Sequence, residues 1–283
     1  MRALRREGLR EVALPEGEVR VKVTLSGICN TDLELARGYM DFHGTLGHEF
    51  VGVTDDGTRV VGEINAGCGT CPLCVAGDSR HCPTRTVLGI LNRDGAHADY
   101  LTLPARNLIR VPAHISDHQA VFTEPLAAAC GVLERCPIAP GERVAVVGHG
   151  KLGRLVVLVL QAHGHAPVVI GRTSDAEPRS FDVVIEASGN EDGFARALDL
   201  LVPRGRLVMK STFHGTTPMA SARIVVDEIT LIGSRCGRFA PALELLPAID
   251  VTPLISDELS LDDGERALVE AAKPGVRKIL LRR

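Results

Sequence analysis

The sequence predicts an α/β protein with a β-rich first half and a doubly wound parallel sheet in the second half. Roughly the first 110 residues contain short runs such as EVRVKVTLSG between Gly- and Asp-rich turns, a pattern typical of strands. In the second half, valine-rich strand patterns alternate with helix patterns, which favours parallel strands joined by helices. We therefore expect a first domain over 1–137, a second over 138–250, and a tail, 251–283, that returns to the first domain.

The composition is that of an ordinary globular protein. The chain has 283 residues, of which 45% are hydrophobic and 24% charged, with a net charge of −3. This near balance gives no reason to expect nucleic acid or a membrane surface as partner. The longest apolar run, LVVLVLQA, is too short to span a bilayer. No signal-peptide core opens the sequence, so we expect a cytoplasmic protein that keeps its thiols reduced.

Four cysteines lie within residues 68–82, CGTCPLCVAGDSRHC: Cys68, Cys71, Cys74 and Cys82. Cysteines this close together form strained disulfides, and in a reducing compartment four thiolates are typical of tetrahedral zinc. A redox pair and idle cysteines are the alternatives. A zinc ion with four thiolate ligands has no position left for substrate, so this site is predicted to be structural.

A glycine-rich turn follows the strand pattern Val144–Val147 and precedes a long apolar helix. G-x-G-x-x-G in this setting predicts a Rossmann dinucleotide site, because the first glycine makes the tight turn, the second admits a pyrophosphate and the third packs helix on strand. The predicted cofactor contacts here are Gly148, Gly150, Lys151, Leu152 and Gly153.

Other metal-binding side chains lie outside the cysteine-rich segment. GICNTD contains Cys29, GHEF contains His48 and Glu49, and FTEPLAAA places Glu124 before a proline at a predicted helix start. A thiolate, an imidazole and a carboxylate can form an open zinc site with one position free for water or substrate. Each residue alone is equally compatible with a structural role.

These motifs, in this order and over nearly the whole chain, resemble the zinc-dependent medium-chain alcohol dehydrogenases, closest to the branches of threonine and polyol dehydrogenases. The resemblance implies a GroES-like catalytic domain followed by a Rossmann domain, and hydride transfer between an alcohol or carbonyl substrate and a nicotinamide cofactor. It implies two zinc ions per chain: a structural zinc on the four clustered cysteines, and a catalytic zinc on Cys29, His48 and Glu124 with Glu49 as a further ligand or close neighbour.

The resemblance also implies roles around the catalytic zinc. Thr31 falls where the family keeps the hydroxyl that relays the alcohol proton, and Asp32 falls where a carboxylate orients the zinc-bound histidine. His97, in NRDGAHADYLTL, is interpreted as a surface residue, with a position near substrate as the alternative.

The end of the second Rossmann strand indicates the form of the cofactor. No acidic residue stands there; Gly171 and Arg172 do, and an arginine suits the 2′-phosphate of NADP. The alternative is that Asp175 binds the ribose of NAD. Ser234 and Arg235, after a later strand, are further predicted cofactor contacts.

One departure from the family is clear. Between the strand patterns VVIGRTSD and FDVVIEASG the family normally has another helix and strand. Here only AEPRS lies between them, so the sheet is predicted to lack one edge strand-helix unit. This loss exposes the edge of the second strand and removes one wall of the adenosine pocket. One alternative is therefore that the protein is a catalytically silent relative of the family. An NAD-linked threonine-type dehydrogenase is the other. The resemblance further implies a homo-oligomer, a dimer or tetramer.

Overall fold

The structure is a computed structural model that describes residues 1–212 and 217–283. Its strands are β1 (Arg2–Arg5), β2 (Gly8–Glu11), β3 (Val19–Gly27), β4 (Glu49–Thr54), β5 (Arg59–Gly62), β6 (Asn65–Ala66), β7 (Thr86–Val87), β8 (Tyr100–Leu103), β9 (Leu108–Arg110), β10 (Val144–Val147), β11 (Val168–Ile170), β12 (Phe181–Glu186), β13 (Leu201–Met209), β14 (Thr230–Gly233), β15 (Ile255–Ser260) and β16 (Lys278–Arg282). Its α-helices are α1 (Asn30–Ala36), α2 (Pro72–Val75), α3 (Asp117–Ala120), α4 (Thr123–Arg135), α5 (Lys151–Ala162), α6 (Glu191–Leu200), α7 (Ser221–Val226), α8 (Phe239–Leu245) and α9 (Gly264–Ala271). In these described ranges, no helix combines the length and the apolar character that a membrane span requires.

The chain divides into two compact units. Unit 1 comprises Met1–Glu124 and Ala242–Arg283, and unit 2 comprises Pro125–Pro241. These borders lie earlier than the predicted borders at 137 and 250. The reason for the first difference is visible in α4, where Ala127 and Gly131 pack closely against the backbone of Gly237 in unit 2.

Unit 1 is built on a seven-stranded sheet ordered β15-β16-β3-β4-β5-β9, with β8 also paired to β3. The long strand β3 is the centre of this sheet. Val21, Val23 and Leu25 alternate along it and are buried, as the period of two in a half-buried strand requires. At its carboxyl end β3 lies between β4 and β16, because Gly27 is opposite Glu49 on one side and Leu280 on the other. The tail therefore supplies a strand, β16, that pairs with β3 in this sheet.

Unit 2 is a five-stranded, all-parallel sheet with the order β11-β10-β12-β13-β14. A parallel sheet agrees with the alternating strand and helix patterns of the sequence. The strand order confirms the shortened Rossmann sheet, because β11, the second strand of the usual fold, pairs only with β10 in the described part of the chain. Val168 on this edge strand is 47% exposed.

The segment that replaces the missing helix and strand, residues 171–180, runs along α6. The backbone N–H groups of Arg179 and Ser180 donate to the carbonyls of Asp199 and Leu200, both at 2.9 Å, and Arg196 donates to the carbonyl of Ala176 at 2.5 Å. Several backbone groups of this connecting segment are thus paired with the neighbouring helix.

Candidate active site and metal centres

The four clustered cysteines come together in one group, which we call the cysteine lobe (residues 68–82). The sulfurs of Cys68, Cys71, Cys74 and Cys82 all lie within 4.8 Å of one another. Ligand sulfurs of a tetrahedral zinc are about 3.8 Å apart for a Zn–S bond near 2.3 Å. All eight cysteines of the chain are free thiols. The lobe thus offers the donor set of a closed zinc site.

Backbone amides already favour thiolates in the lobe. The hydroxyl and backbone of Thr70, with the backbone N–H of Cys71, lower the pKa of Cys68 to about 5. The Gly69 N–H favours the Cys74 thiolate, but burial and the three neighbouring sulfurs raise the pKa of Cys74 to about 11. Four sulfurs cannot all carry negative charge at this spacing without a cation, so the lobe fits a metal ion.

A second cluster brings together Cys29, His48 and Glu49, whose ligand atoms also lie within 4.8 Å of one another. Cys29 is the N-cap of α1, and Glu49 is the first residue of β4. His48 and Glu49 are buried, whereas Cys29 is partly exposed. Three of the residues that the sequence predicted as ligands, from two separate segments of the chain, thus lie close together.

Asp32 lies behind this cluster and contacts the ring of His48. Its Oδ1 is 3.2 Å from His48 Nδ1, and its Oδ2 accepts the backbone N–H of Cys29 at 2.8 Å. Burial alone would raise the pKa of Asp32, but the charge of His48 and the hydrogen bonds from His48 and His97 hold it well below its usual range. Because Nδ1 of His48 faces Asp32, Nε2 is the ring nitrogen left for a metal ion.

The ionisation of His48 is governed by the same neighbours. Burial alone would lower the pKa of His48, yet Asp32 and Cys29 raise it well above its ordinary value. These neighbours therefore favour a proton on each ring nitrogen, and a metal ion at Nε2 has to compete with the proton there.

Lys278 is a component of this site that the sequence reasoning missed. Its ammonium group donates to both carboxylate oxygens of Glu49, at 2.6 and 2.5 Å. The pair crosses the end of β3 at Gly27, where a Cβ would lie 2.4 Å from Glu49 Oε2 and 3.3 Å from Lys278 Cδ. The one available signal was a lysine within the buried strand pattern RKILL. A charge there requires a buried partner.

Glu124 lies outside the three-residue cluster but acts on the same lysine. Burial alone would lower the pKa of Lys278, whereas the charges of Glu49, Cys29 and Glu124 raise it. Three groups that can be anionic, Glu49, Cys29 and Glu124, thus act on a single ammonium group. This excess of negative charge is what a divalent cation would neutralise.

Thr31 and His97 complete the surroundings. Thr31 Oγ1 lies 3.8 Å from Cys29 Sγ and is partly exposed, so its hydroxyl is next to the cluster. The interpretation of His97 as a surface or substrate residue was wrong. Its side chain is 0% exposed and contacts Asp32, because residues 95–97 pair with the backbone of residues 45–47.

In unit 2 the glycine turn has the geometry predicted for a dinucleotide site. Gly148 has φ +101°, and a Cβ there would lie 2.5 Å from the Ala187 carbonyl oxygen. A Cβ at Gly153 would lie 2.2 Å from the Gly148 carbonyl oxygen. In contrast, a Cβ at Gly150 would meet no described atom within 4 Å, so the backbone there borders open space. Gly150 is the N-cap of α5, with Lys151 and Leu152 in the first turn.

The remaining predicted cofactor residues lie at other strand ends of the same unit. Gly171 and Arg172 follow β11 and are exposed, and the Gly171 N–H donates to Ser174 Oγ at 2.8 Å. Ser234 and Arg235 follow β14. Their carbonyl oxygens accept from the buried ammonium of Lys210 at 3.0 and 2.6 Å. Lys210, also missed from sequence, therefore holds the backbone of this loop.

Two known protein families match successive parts of the chain. The family "Alcohol dehydrogenase GroES-like domain" matches residues 15–113, and "Zinc-binding dehydrogenase" matches residues 162–250. L-threonine 3-dehydrogenase of Streptomyces coelicolor is 31% identical, over 96% of this chain and 93% of that protein. The chain belongs to the zinc-dependent medium-chain alcohol dehydrogenase family. It is an oxidoreductase that acts on alcohols with a nicotinamide cofactor.

Further relatives show the same organisation. Sorbitol dehydrogenase of Halalkalibacterium halodurans is 27% identical, over 93% of this chain and 91% of that protein. A zinc-binding dehydrogenase of Sinorhizobium meliloti, solved with NADP, superposes with a TM-score of 0.88 at 26% identity, covering 100% and 99% of the two chains. The RspB alcohol dehydrogenase of Escherichia coli, solved with NADH, has a TM-score of 0.86 at 26% identity, covering 97% and 95%. The fold is thus compatible with either nicotinamide cofactor.

Proposed function

We propose that this dehydrogenase binds its catalytic zinc at Cys29, His48 and Glu49, with Glu124 beside it. The observation that carries the proposal is the group of these three ligand types, which has Asp32 behind the histidine and Lys278 behind the glutamate. The expected ligands were Cys29, His48 and Glu124. In this proposal Glu49 is the third protein ligand, and Glu124 is a neighbour of the zinc site.

Each side chain has a role in alcohol oxidation. A bound zinc supplies a Lewis acid that favours loss of the alcohol proton. The Thr31 hydroxyl, next to Cys29 and partly exposed, receives this proton and passes it towards solvent. Asp32 keeps a proton on Nδ1 of His48, and Lys278 offsets the charge of Glu49. A bound nicotinamide cofactor would supply the hydride acceptor.

We further propose a structural zinc in the cysteine lobe, which gives two zinc ions per chain. The lobe has four sulfurs within reach of one ion and no position for substrate. Eight free thiols also support location in a reducing compartment, the cytoplasm.

The proposed cofactor is NADP. Gly148, Gly150, Lys151, Leu152 and Gly153 provide the turn and helix N-terminus for the pyrophosphate, because the backbone at Gly150 borders open space. Arg172, exposed after Gly171, is placed to bind the 2′-phosphate, and no acidic residue ends β11. Ser234 and Arg235 lie at another strand end of the same sheet. The absence of the neighbouring edge strand leaves Arg172 as the principal adenosine contact.

The proposed substrate is a polyol, which the sorbitol dehydrogenase relative supports. The second candidate is an NAD-linked threonine-type dehydrogenase, which the relative from Streptomyces coelicolor favours. We also propose a homo-oligomer, a dimer or tetramer. Light scattering of the purified chain measures its mass directly.

The zinc-loaded protein should be titrated with NADPH and with NADH while nicotinamide fluorescence is followed. We expect NADPH to bind more tightly, and Arg172→Ala to weaken NADPH about 10–100-fold with NADH unchanged, since one charge-assisted contact contributes about 1.5–3 kcal/mol. Arg110→Ala, an exposed arginine of unit 1, is the matched control. Tighter NADH binding would move the assignment to the threonine-type alternative. Binding of neither would favour the catalytically silent relative.

A further inference from the structure

Behind Asp32 lies a second, deeper layer of polar side chains that the proposed mechanism does not use. His97 is 0% exposed and Ser26 is 2% exposed. Ser26 Oγ and His97 Nδ1 are 2.9 Å apart, and His97 Nε2 lies 3.5 Å from Asp32 Oδ2. Burial of a polar imidazole costs free energy unless its nitrogens are hydrogen-bonded, and both ring nitrogens of His97 face polar atoms.

The direction of the hydrogen bonds follows from the carboxylate. A bare lone pair on His97 Nε2 would face the negative oxygen of Asp32, so Nε2 carries a hydrogen. In the neutral ring, Nδ1 then accepts from the Ser26 hydroxyl. His97 Nε2 and His48 Nδ1 have no hydrogen-bond partner of ideal geometry in the described chain, so Asp32 is the acceptor that reaches each of them. Asp32 thus lies between two imidazoles.

The backbone is built to bring His97 to this place. The N–H of His97 donates to the Leu46 carbonyl, and the N–H of Ala96 donates to the Gly47 carbonyl, both at 2.8 Å. Gly47 has φ +98°, and a Cβ there would lie 2.6 Å from both the backbone N and Nδ1 of His97. Only glycine permits this approach directly before His48.

We infer that Ser26 and His97 are positioning residues that orient Asp32 and, through it, hold the Nδ1 proton of His48 so that Nε2 is presented to the metal ion. We call Ser26, His97 and Asp32 the inner network. Asp32 Oδ1 contacts His48 and accepts the Gly47 N–H at 3.1 Å, while Oδ2 accepts the Cys29 N–H and contacts His97. Without His97, the carboxylate would lose one of the groups that fix its plane. The inference rests on the proposed catalytic zinc for its functional meaning.

Two amide substitutions separate the contacts of His97. In His97→Gln, the amide nitrogen reaches about the place of Nε2 and can donate to Asp32. In His97→Asn, it reaches about the place of Nδ1 and keeps only the contact with Ser26. Both variants bury a neutral amide of the same chemistry, so they control for each other. Ser26→Ala removes a single oxygen atom and serves as a third, milder variant should the two amides disturb folding.

The first readout is the Nδ1 proton of His48 in protein labelled with ¹⁵N-histidine, assigned by its loss in His48→Gln. We expect solvent exchange of this proton to be about 10–100-fold faster in His97→Asn than in the wild type, and to return towards the wild-type rate in His97→Gln. Equal exchange rates in the wild type, both amide variants and Ser26→Ala would overturn the inference. So would an effect of the same size in both amide variants.

The second readout is zinc affinity, measured by competition with a chromophoric chelator. We expect His97→Asn to weaken the Cys29 site about 10–100-fold, with the cysteine lobe unchanged as the internal control. Weakening of both sites together would mean general misfolding and would overturn a positioning role. If the wild type bound zinc only in the lobe, the proposed function would fail. Solvent exchange of the Nδ1 proton of His48 would still test the inner network, because the contact between His48 and Asp32 does not require metal.

Discussion

The two groups of metal-binding side chains are assembled in opposite ways. The cysteine lobe takes all its ligands from fifteen consecutive residues, which turn back on themselves around the short helix α2. The Cys29 site combines the start of α1 with the start of β4, and its counter-charge, Lys278, is separated from Glu49 by 229 positions. A local site depends on one loop, whereas the second site depends on the register of three strands.

The difference extends to how charge is stabilised. In the lobe, hydroxyl and backbone N–H groups lie next to the thiolates, and Cys68 is exposed. At the Cys29 site, His48, Glu49, Asp32 and Lys278 are buried, so each charge needs a specific partner. Mutations at the two sites should therefore have different effects on metal binding, activity and stability.

Removal of one ligand from each site is the strongest test of this independence. Cys29→Ala should lower kcat/KM on the order of 10³–10⁴, because Lewis-acid catalysis contributes several kcal/mol, while the lobe keeps its zinc. Cys74→Ala should release the lobe zinc and make residues 68–82 sensitive to protease, while cobalt still binds at the Cys29 site. Zinc analysis, limited proteolysis and the cobalt spectrum measure these effects. Loss of both metals from Cys74→Ala would show that the two sites fold together.

Removal of the buried counter-charge should have the next largest effect. Lys278→Met leaves Glu49 buried without its partner and should lower the free energy of unfolding by about 3–5 kcal/mol. Arg282→Met, on the same strand, breaks a partly exposed pair with Glu258 and should cost at most about 1 kcal/mol. Urea unfolding of the metal-free proteins compares them. Equal shifts in the two variants would contradict a special role for the buried pair.

The smallest effect distinguishes thiols within the lobe. After zinc removal under reducing conditions, Cys68, with a pKa of about 5, is a thiolate at pH 7, whereas Cys74, with a pKa of about 11, is protonated. Because a low pKa also reduces nucleophilicity, alkylation of Cys68 should be only about tenfold faster or somewhat more. Its rate should level off above about pH 5–6, while that of Cys74 keeps rising. Peptide mass spectrometry resolves the two, and equal rates would refute the assignment.

Much of the fold was predictable because its signals are local. The alternation of strand and helix patterns predicted the parallel sheet, and the short AEPRS segment predicted the missing edge unit. The β-pattern of RKILL predicted that the tail joins unit 1. The unit borders were less predictable. The sequence pattern of α4 continues that of the first domain, and only its packing against Gly237 places it in unit 2.

The sequence by itself determined the ligand set of the cysteine lobe, the loss of one edge unit from the Rossmann sheet and the presence of Cys29, His48 and Glu49 as candidate ligands. Spacing and residue type are sufficient there, because neighbouring residues meet through short turns. Only the tertiary structure decided that Lys278 reaches Glu49 across Gly27, and that His97 lies under Asp32. Burial of these charges is tolerable only where strands and loops distant in the chain bring opposite charges and hydrogen-bond donors within about 3 Å, and no local pattern encodes that meeting.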